Sequence, residues 1–155
     1  MPPLRALIDS MVFDAIVAEP DLRDEVDRLT SAGDLELLAA AETMQEIEAT
    51  PDAAHRKQLR RVRVLVVPPA DTRDPATADL RAALVRSRGV SYEDAAIAMA
   101  AALLNVPFVT EDRDLREAVA THLRGVATWD WAGDLRPRIL QLSRAASRGR
   151  TRRSG

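Results

Sequence analysis

The sequence predicts an α/β fold in which a parallel β-sheet of four or five strands is covered by helices on both faces. Short runs of aliphatic and β-branched residues alternate along the chain with segments whose apolar residues recur at helical spacing. Strands that alternate with helices form parallel sheets, because a helix must carry the chain back to the start of the next strand. At 155 residues the chain is long enough for one such domain.

Proline and glycine set most of the element boundaries. Pro20 separates the first two helices and Gly33 closes the second, Pro68 and Pro69 end the third strand, and Gly89 precedes a long alanine-rich helix. The predicted strands cover residues 4–8, 35–39, 62–67, 107–110 and 126–129. The predicted helices cover residues 11–18, 21–30, 43–49, 53–60, 76–86, 91–104, 113–123 and 133–146.

Charge is unevenly distributed along the chain. Residues 136–155 contain seven arginines and no acidic residue, so the net charge of −2 divides into +7 for this segment and −9 for residues 1–135. We therefore predict a globular domain over residues 1–135, followed by the end of a helix and a disordered, arginine-rich tail. Such a tail suits contact with phosphates, although a solvated tail without a function has the same composition.

Composition excludes several kinds of site. The chain has no cysteine, so it has no disulfide, thiolate zinc site or cysteine nucleophile. Its two histidines, His55 and His122, are far apart in polar helical segments and are expected on the solvated surface. The longest apolar run, residues 95–104, is about half a membrane span. With no secretory signal evident at the N-terminus, the sequence predicts a cytoplasmic protein without membrane contact.

Four acidic residues are expected at one edge of the sheet. Asp9 ends the first strand, Asp112 follows the fourth, Asp94 lies in the first turn of the alanine-rich helix, and Glu46 lies in the helix after the second strand. Each of them could also serve only as a helix cap or a surface residue, and Ser91 and Asp94 have the spacing of a capping box. Together, with Lys57 as the chain's only lysine, they indicate a hard-oxygen site for Mg²⁺ or Mn²⁺ and the hydrolysis of phosphodiester bonds.

One long segment resembles a known family. Residues 91–114, SYEDAAIAMAAALLNVPFVTEDRD, resemble the most diagnostic part of PIN-domain ribonucleases, in which an Asp opens a helix of small residues and a Thr-x-Asp-x-Asp turn follows a short strand. Residues 7–10 and 43–47 resemble that family's first two acidic segments. The resemblance covers about residues 4–132. It implies a single Rossmann-like PIN domain, a metal-dependent endoribonuclease of the VapC-like toxin type, an RNA substrate, an antitoxin partner and a homodimer.

The resemblance also assigns roles to particular residues. It implies that Asp9, Glu46, Asp94 and Asp112 are catalytic and that Asp114 is an auxiliary acid. We expect Asp9, Asp94 and Asp112 to bind Mg²⁺ or Mn²⁺, directly or through water. As auxiliary residues, Ser10 and Thr110 are expected to orient carboxylates through hydrogen bonds from their hydroxyls. Two features depart from the family pattern. Met11 stands where an Asn is common, and Glu42 competes with Glu46 for the second acidic position, one helical turn away.

Other functions remain as alternatives. A PIN-like module that binds RNA or protein without cutting is the main one. A receiver-like signalling domain would need a lysine after a strand, whereas Lys57 lies in a helical segment. A phosphatase of the haloacid-dehalogenase type would need an aspartate at the position of Met11.

Overall fold

A five-stranded parallel sheet forms the centre of the molecule, and this confirms the predicted fold class. The structure is a computed structural model that describes residues 2–153. The strands are β1 (Leu4–Ile8), β2 (Leu35–Ala40), β3 (Leu65–Val67), β4 (Phe108–Val109) and β5 (Thr128–Trp129). Their order in the sheet is β3-β2-β1-β4-β5, with every pair parallel. The first strand is therefore the central one.

Eight α-helices surround the sheet in the described part of the chain. They are α1 (Ser10–Val17), α2 (Pro20–Ser31), α3 (Ala41–Glu48), α4 (Ala53–Arg60), α5 (Pro75–Val85), α6 (Tyr92–Leu104), α7 (Arg113–His122) and α8 (Arg136–Arg153). A π-helical turn, Trp131–Leu135, leads into α8. No helix within residues 2–153 combines the length and the apolar character needed to cross a bilayer.

The last three strands are shorter than predicted. The β3 strand begins at Leu65 instead of residue 62, because the N–H of Val62 bonds the carbonyl of Leu59 and prolongs the turn that ends α4. Val62 is nevertheless buried, so its β-branched side chain serves the core without being part of the sheet. Burial and strand pairing are therefore separate properties of this apolar run.

Successive side chains of the central strands enter two separate cores. Ile8 and Val109 belong to the core on one face of the sheet, and Leu7 and Phe108 belong to the core on the other, as the two-residue period of a strand requires. The first core is completed mainly by α1, α2 and α8, and the second by α5, α6 and α7. The last three residues of β1, Ala6 to Ile8, are fully buried, so a polar group at the end of this strand emerges from a buried environment.

Small residues let α6 pack closely on the sheet. Its alanines at positions 95, 98 and 101 are fully buried, together with Ile97. Because α6 precedes β4 and runs antiparallel to it, the first turn of α6 lies at the carboxyl edge of the sheet. The helices α1, α3 and α7 begin at this same edge, since each follows a strand directly.

The arginine-rich segment differs from the expected disordered tail, because α8 continues through Arg153. Its first half is anchored: Ile139 is fully buried in the same core as Ile8, and Arg136 forms an ion pair with Glu19 at 2.9 Å. Beyond Ala146 the helix is exposed, and its hydroxyls bond carbonyls one turn earlier. Ser154 and Gly155 of the predicted tail lie outside the described residues.

Candidate active site

Asp9 is the most buried of the predicted site residues that carry a charge. It follows β1 at the carboxyl edge, is 7% exposed, and its N–H bonds the carbonyl of Val109 at 3.1 Å. One carboxylate oxygen accepts the Ser10 N–H at 2.8 Å, and the other accepts the Thr110 hydroxyl at 3.0 Å. The neighbouring strand β4 therefore holds Asp9 through both its backbone and the side chain that follows it.

The pKa of Asp9 is affected by two of the other predicted acids. Burial raises the pKa of the Asp9 carboxyl above its ordinary value of 3.8, the hydrogen bonds from Ser10 and Thr110 oppose this, and the negative charges of Glu46 and Asp94 raise it further. Carboxylates carried by α3 and α6 therefore act on one carboxylate at the end of β1. The structure brings these three predicted residues into the same electrostatic environment.

Thr110 connects Asp9 to the fourth acid. It is fully buried, and its hydroxyl donates to Asp9 while accepting the N–H of Asp112 at 3.2 Å. The Asp112 carboxylate in turn accepts the N–H of Leu115 at 3.1 Å and so caps α7. One hydroxyl thus fixes the spacing between the backbone of Asp112 and the side chain of Asp9.

Asp94 has a structural role as well as an electrostatic one. Its N–H donates to the Ser91 hydroxyl at 3.1 Å, and the Ser91 N–H donates to its carboxylate at 3.3 Å, so the two residues form the capping box that their spacing predicts. The same carboxylate acts on the pKa of Asp9. Asp94 therefore caps its helix and also belongs to the acidic edge, by which we mean Asp9, Glu46, Asp94 and Asp112 at the carboxyl ends of the strands.

The geometry distinguishes Glu46 from Glu42. Glu46 acts on the pKa of Asp9, and Glu42, one turn earlier on α3, is not among the charges that do so. Glu46 also lines a cavity of about 260 Å³ together with Ser10, Asp14 and His55. This cavity begins where α1 starts, beside Asp9 in the sequence.

Asp14 and His55 form a contact that the sequence analysis missed. The His55 Nε2 atom lies 2.7 Å from an Asp14 carboxylate oxygen, although the two residues are 41 positions apart. His55 is half-exposed, so it is a surface histidine as predicted, but one held at the mouth of the cavity beside Glu46. The sequence carries no signal for this pairing, because it depends on how α4 packs against α1.

The predicted auxiliary residues Ser10 and Asp114, and Glu111 beside them, make the following contacts. Ser10 contacts Asp9 through its backbone N–H and not through the hydroxyl that the sequence analysis favoured. Asp114 packs against Gly89 and faces a different cavity, so the structure does not connect it to Asp9. Glu111 accepts the N–H of Trp131 at 2.7 Å and ties the β4–α7 turn to the π-helical turn. The three carboxylates of this turn thus have different contacts: Glu111 bonds Trp131, Asp112 caps α7, and Asp114 lies against Gly89.

Solved structures share this arrangement of strands and helices. A chain from DNA-bound VapBC of Salmonella typhimurium is 21% identical, with a TM-score of 0.58, over 83% of this chain and 99% of that one. A chain from VapBC2 of Rickettsia felis, bound to a DNA fragment from their promoter, is 9% identical with a TM-score of 0.57 over the same shares. The PIN domain endonuclease Utp24 is 17% identical with a TM-score of 0.52, over 86% and 89%. The chain has the PIN-domain fold. The sequence matches no known family model and no curated protein.

The carboxylate oxygens of the acidic edge are donors that suit a hard cation. In the described residues, however, these side chains are not arranged as a preformed metal site. Asp9, Glu46, Asp94 and Asp112 form no ion pair with any residue between 2 and 153. In that same range no group of three or more acids or histidines is arranged to hold a metal directly. Hydrogen bonds at helix starts explain this, because the carboxylates of Asp94 and Asp112 point to backbone N–H groups.

Proposed function

We propose that this protein is a metal-dependent endoribonuclease that hydrolyses phosphodiester bonds of single-stranded or looped RNA. The observation that carries the proposal is the buried carboxylate of Asp9, whose pKa is raised partly by the charges of Glu46 and Asp94. Repulsion among carboxylates without a compensating side chain is relieved by a divalent cation. Similarity in fold to the PIN domain endonuclease Utp24 supports the same activity.

In this proposal Asp9, Asp94 and Asp112 hold Mg²⁺ or Mn²⁺, directly or through water, and Glu46 completes the acidic surroundings. A bound hard dication supplies a water of lowered pKa and positive charge at the transferring phosphate. Thr110 keeps the Asp9 carboxylate oriented through its hydroxyl and, being fully buried, keeps water from that side. Asp94 and Asp112 each use one carboxylate oxygen in a helix cap, and the other oxygen would be the one that faces the cation.

Substrate and partners belong to the same proposal. Arginines outside the acidic edge hold the RNA backbone, so we expect binding to weaken strongly with salt. Similarity to chains of DNA-bound VapBC from two bacteria supports a toxin that acts with an antitoxin protein, and we propose a homodimer as the assembled form. We propose the cytoplasm as its location.

A second candidate is a PIN-like module that binds RNA or a protein partner without cutting. The observation that favours it is that no group of three metal-binding side chains is preformed within residues 2–153, with Met11 in the place of a polar side chain. Calorimetric titration with Mg²⁺ and Mn²⁺ separates the two candidates. Saturable binding that requires Asp9 supports the nuclease, and absence of binding supports the module.

The nuclease proposal is tested with purified protein and end-labelled single-stranded RNA, with Mg²⁺ or with EDTA. We expect cleavage only with the metal, and a loss of about 100-fold or more in the double variant Asp9→Asn/Asp94→Asn, the scale of removing charge stabilisation from an active site. The matched control is Asp21→Asn/Asp24→Asn, which makes the same chemical change at exposed positions of α2. Cleavage that persists in EDTA, or in the Asp9/Asp94 double variant, contradicts the proposal.

A further inference from the structure

A second polar cavity lies beside the acidic edge. Its volume is about 540 Å³, within the range of pockets that hold small molecules. One wall is the turn between α5 and α6, and the other is one face of α7, where residues recur at helical spacing. The polar lining consists of Ser87, Arg88, Asp114, Glu117, Thr121 and His122.

Gly89 fixes the first wall against the second. It has a φ of +78°, and a Cβ at this position would lie 2.3 Å from a carboxylate oxygen of Asp114. Any other residue would be strained in its backbone and would collide with Asp114. Val90 is buried, and its N–H bonds the carbonyl of Ser87 at 3.3 Å. The turn is therefore closed and seated on α7, which places Arg88 at the cavity.

Both walls lead directly to the acidic edge. Asp114 comes two residues after Asp112, and Ser91, which caps the helix that carries Asp94, comes two residues after Gly89. From this edge the cavity extends along α7 toward His122 at the far end of the helix. A strand of RNA whose scissile phosphate lies at the acids can place an adjacent nucleotide in the cavity.

The lining has the groups that recognise a nucleotide. Arg88 is exposed and has no ion-pair partner among residues 2–153, and a guanidinium binds phosphate with two parallel hydrogen bonds. The carboxylates of Asp114 and Glu117 accept hydrogen bonds, as acids do from the amino group of cytosine. Ala118 contributes only a methyl group to the lining, which leaves room for a ring.

We propose that this cavity is a nucleotide-binding subsite, in which Arg88 holds a phosphate and Asp114 and Glu117 select a base that carries an exocyclic amino group. The subsite rests on the proposed ribonuclease function and extends it, because it gives the enzyme a preference for the amino-bearing bases cytosine, adenine and guanine over uracil next to the cleaved bond. Neither catalysis nor metal binding is assigned to its residues.

The subsite is tested by binding alone, in EDTA, so that no cleavage occurs. Cytidine and uridine 5′-monophosphates are titrated into the ¹⁵N-labelled full-length chain, and backbone amide shifts are followed in the turn at 87–90 and in α7. We expect shifts in both segments and tighter binding of the cytidine nucleotide. Arg88→Gln should weaken binding about tenfold, the scale of one hydrogen bond to a charged group. Arg86→Gln is the matched control, since Arg86 is exposed in the same turn but does not line the cavity.

A second variant isolates base recognition from phosphate binding. Glu117→Gln replaces an acceptor by an amide that also donates, so we expect the preference for cytidine over uridine to fall toward unity while Arg88 still binds the phosphate. Thr121→Trp adds a large ring to the lining, and we expect it to block both nucleotides. Equal binding by the Arg88→Gln and Arg86→Gln variants, or amide shifts that avoid both walls, overturns the subsite.

Failure of the subsite is distinguishable from failure of the nuclease. If nucleotides bind in an Arg88-dependent manner and RNA is not cleaved with any metal, the subsite stands and the nuclease proposal falls. If RNA is cleaved in an Asp9-dependent manner and nucleotide binding is indifferent to Arg88 and Glu117, the nuclease stands and the subsite falls.

Discussion

The pKa values of acidic residues in two regions of this molecule are shifted in opposite directions. On the outer surface, Glu19 before α2, Glu25 in α2 and Glu48 in α3 each form an ion pair with an arginine. Hydrogen bonds from these arginines hold the pKa of each carboxyl below its ordinary value. At the carboxyl edge of the sheet, burial and neighbouring carboxylates raise the pKa of Asp9 instead. The same functional group is compensated in one place and left under repulsion in the other.

The carboxylates that pair with arginines are already neutralised, whereas those of the acidic edge remain available for a ligand. An exposed ion pair contributes little to stability but leaves no unbalanced charge. The acidic edge stores unfavourable interactions in the folded state, which only protonation or a cation relieves. An arrangement that costs stability is expected where binding needs it.

After the Asp9/Asp94 double variant, the next largest loss of activity is expected from a comparison inside α3. Glu46→Gln removes a carboxylate that acts on Asp9, and we expect RNA cleavage to fall about 10- to 100-fold, the range observed when outer ligands of a metal site are lost. Glu42→Gln makes the same change one turn earlier and should leave the rate within about twofold, because Glu42 is not among the charges that raise the pKa of Asp9. Initial rates with a labelled RNA measure both. A larger loss from Glu42→Gln would move the second acidic position to that residue.

A bound metal ion should relieve the repulsion at the acidic edge and leave the carboxylates that pair with arginines unaffected. We expect Mg²⁺ or Mn²⁺ at about 100 times its dissociation constant to stabilise the chain by about 2.7 kcal/mol, visible as a rise of several degrees in Tm. The rise should be absent in Asp9→Asn and retained in Glu19→Gln. Thermal unfolding followed by circular dichroism measures it. An equal rise in Asp9→Asn would place the cation elsewhere.

Without metal, the acidic edge and the ion pairs should respond oppositely to pH. Because its pKa is raised in the folded chain, Asp9 contributes stability that is fully present below pH 3.8 and is lost as pH rises through the raised pKa. We expect Asp9→Asn to gain stability relative to the unmodified chain across this window, with a slope no steeper than about 1.4 kcal/mol per pH unit. Urea denaturation from pH 4 to pH 7 gives the difference. If the free energies of unfolding of the two proteins change with pH in parallel, the pKa of Asp9 is not raised by folding.

The smallest effect is expected at an ion pair. Glu19→Gln breaks the contact with Arg136 that joins the α1–α2 corner to α8, and we expect Tm to fall by no more than about 2 °C at neutral pH. The pKa of Glu19 is lowered, so its contribution is present above pH 4.5 and is lost as pH falls through the lowered pKa. The loss should also shrink in high salt. A fall that is independent of pH and salt would indicate lost packing instead of lost charge.

Local patterns in the sequence were sufficient for the order and type of the elements. Pro20 and Gly33 mark helix boundaries close to those observed, and the Ser91-to-Asp94 spacing forms the predicted capping box. These features were predictable because they depend on residues a few positions apart. The ends of β3, β4 and β5 were not, since a strand ends where its neighbour stops pairing.

The candidate site was predictable in its members and not in its geometry. The edge shared by Asp9 and Asp112 followed from the general behaviour of parallel sheets. The Thr110 hydroxyl between them exists because β1 and β4 are neighbours, with Ile8 level with Val109. The sequence does not specify that adjacency, and it equally allowed the Ser10 hydroxyl, where the structure uses the Ser10 N–H.

The α/β class, the parallel strands and the acids at strand ends and helix starts were all predictable from the sequence, because spacing along the chain encodes local conformation. Three features follow only from the packed fold: the charge of Glu46 raises the pKa of Asp9, α8 remains helical to Arg153, and Gly89 seats its turn on Asp114. Each of these depends on contacts between residues far apart in the chain, whose distances are fixed only when both faces of the sheet are packed.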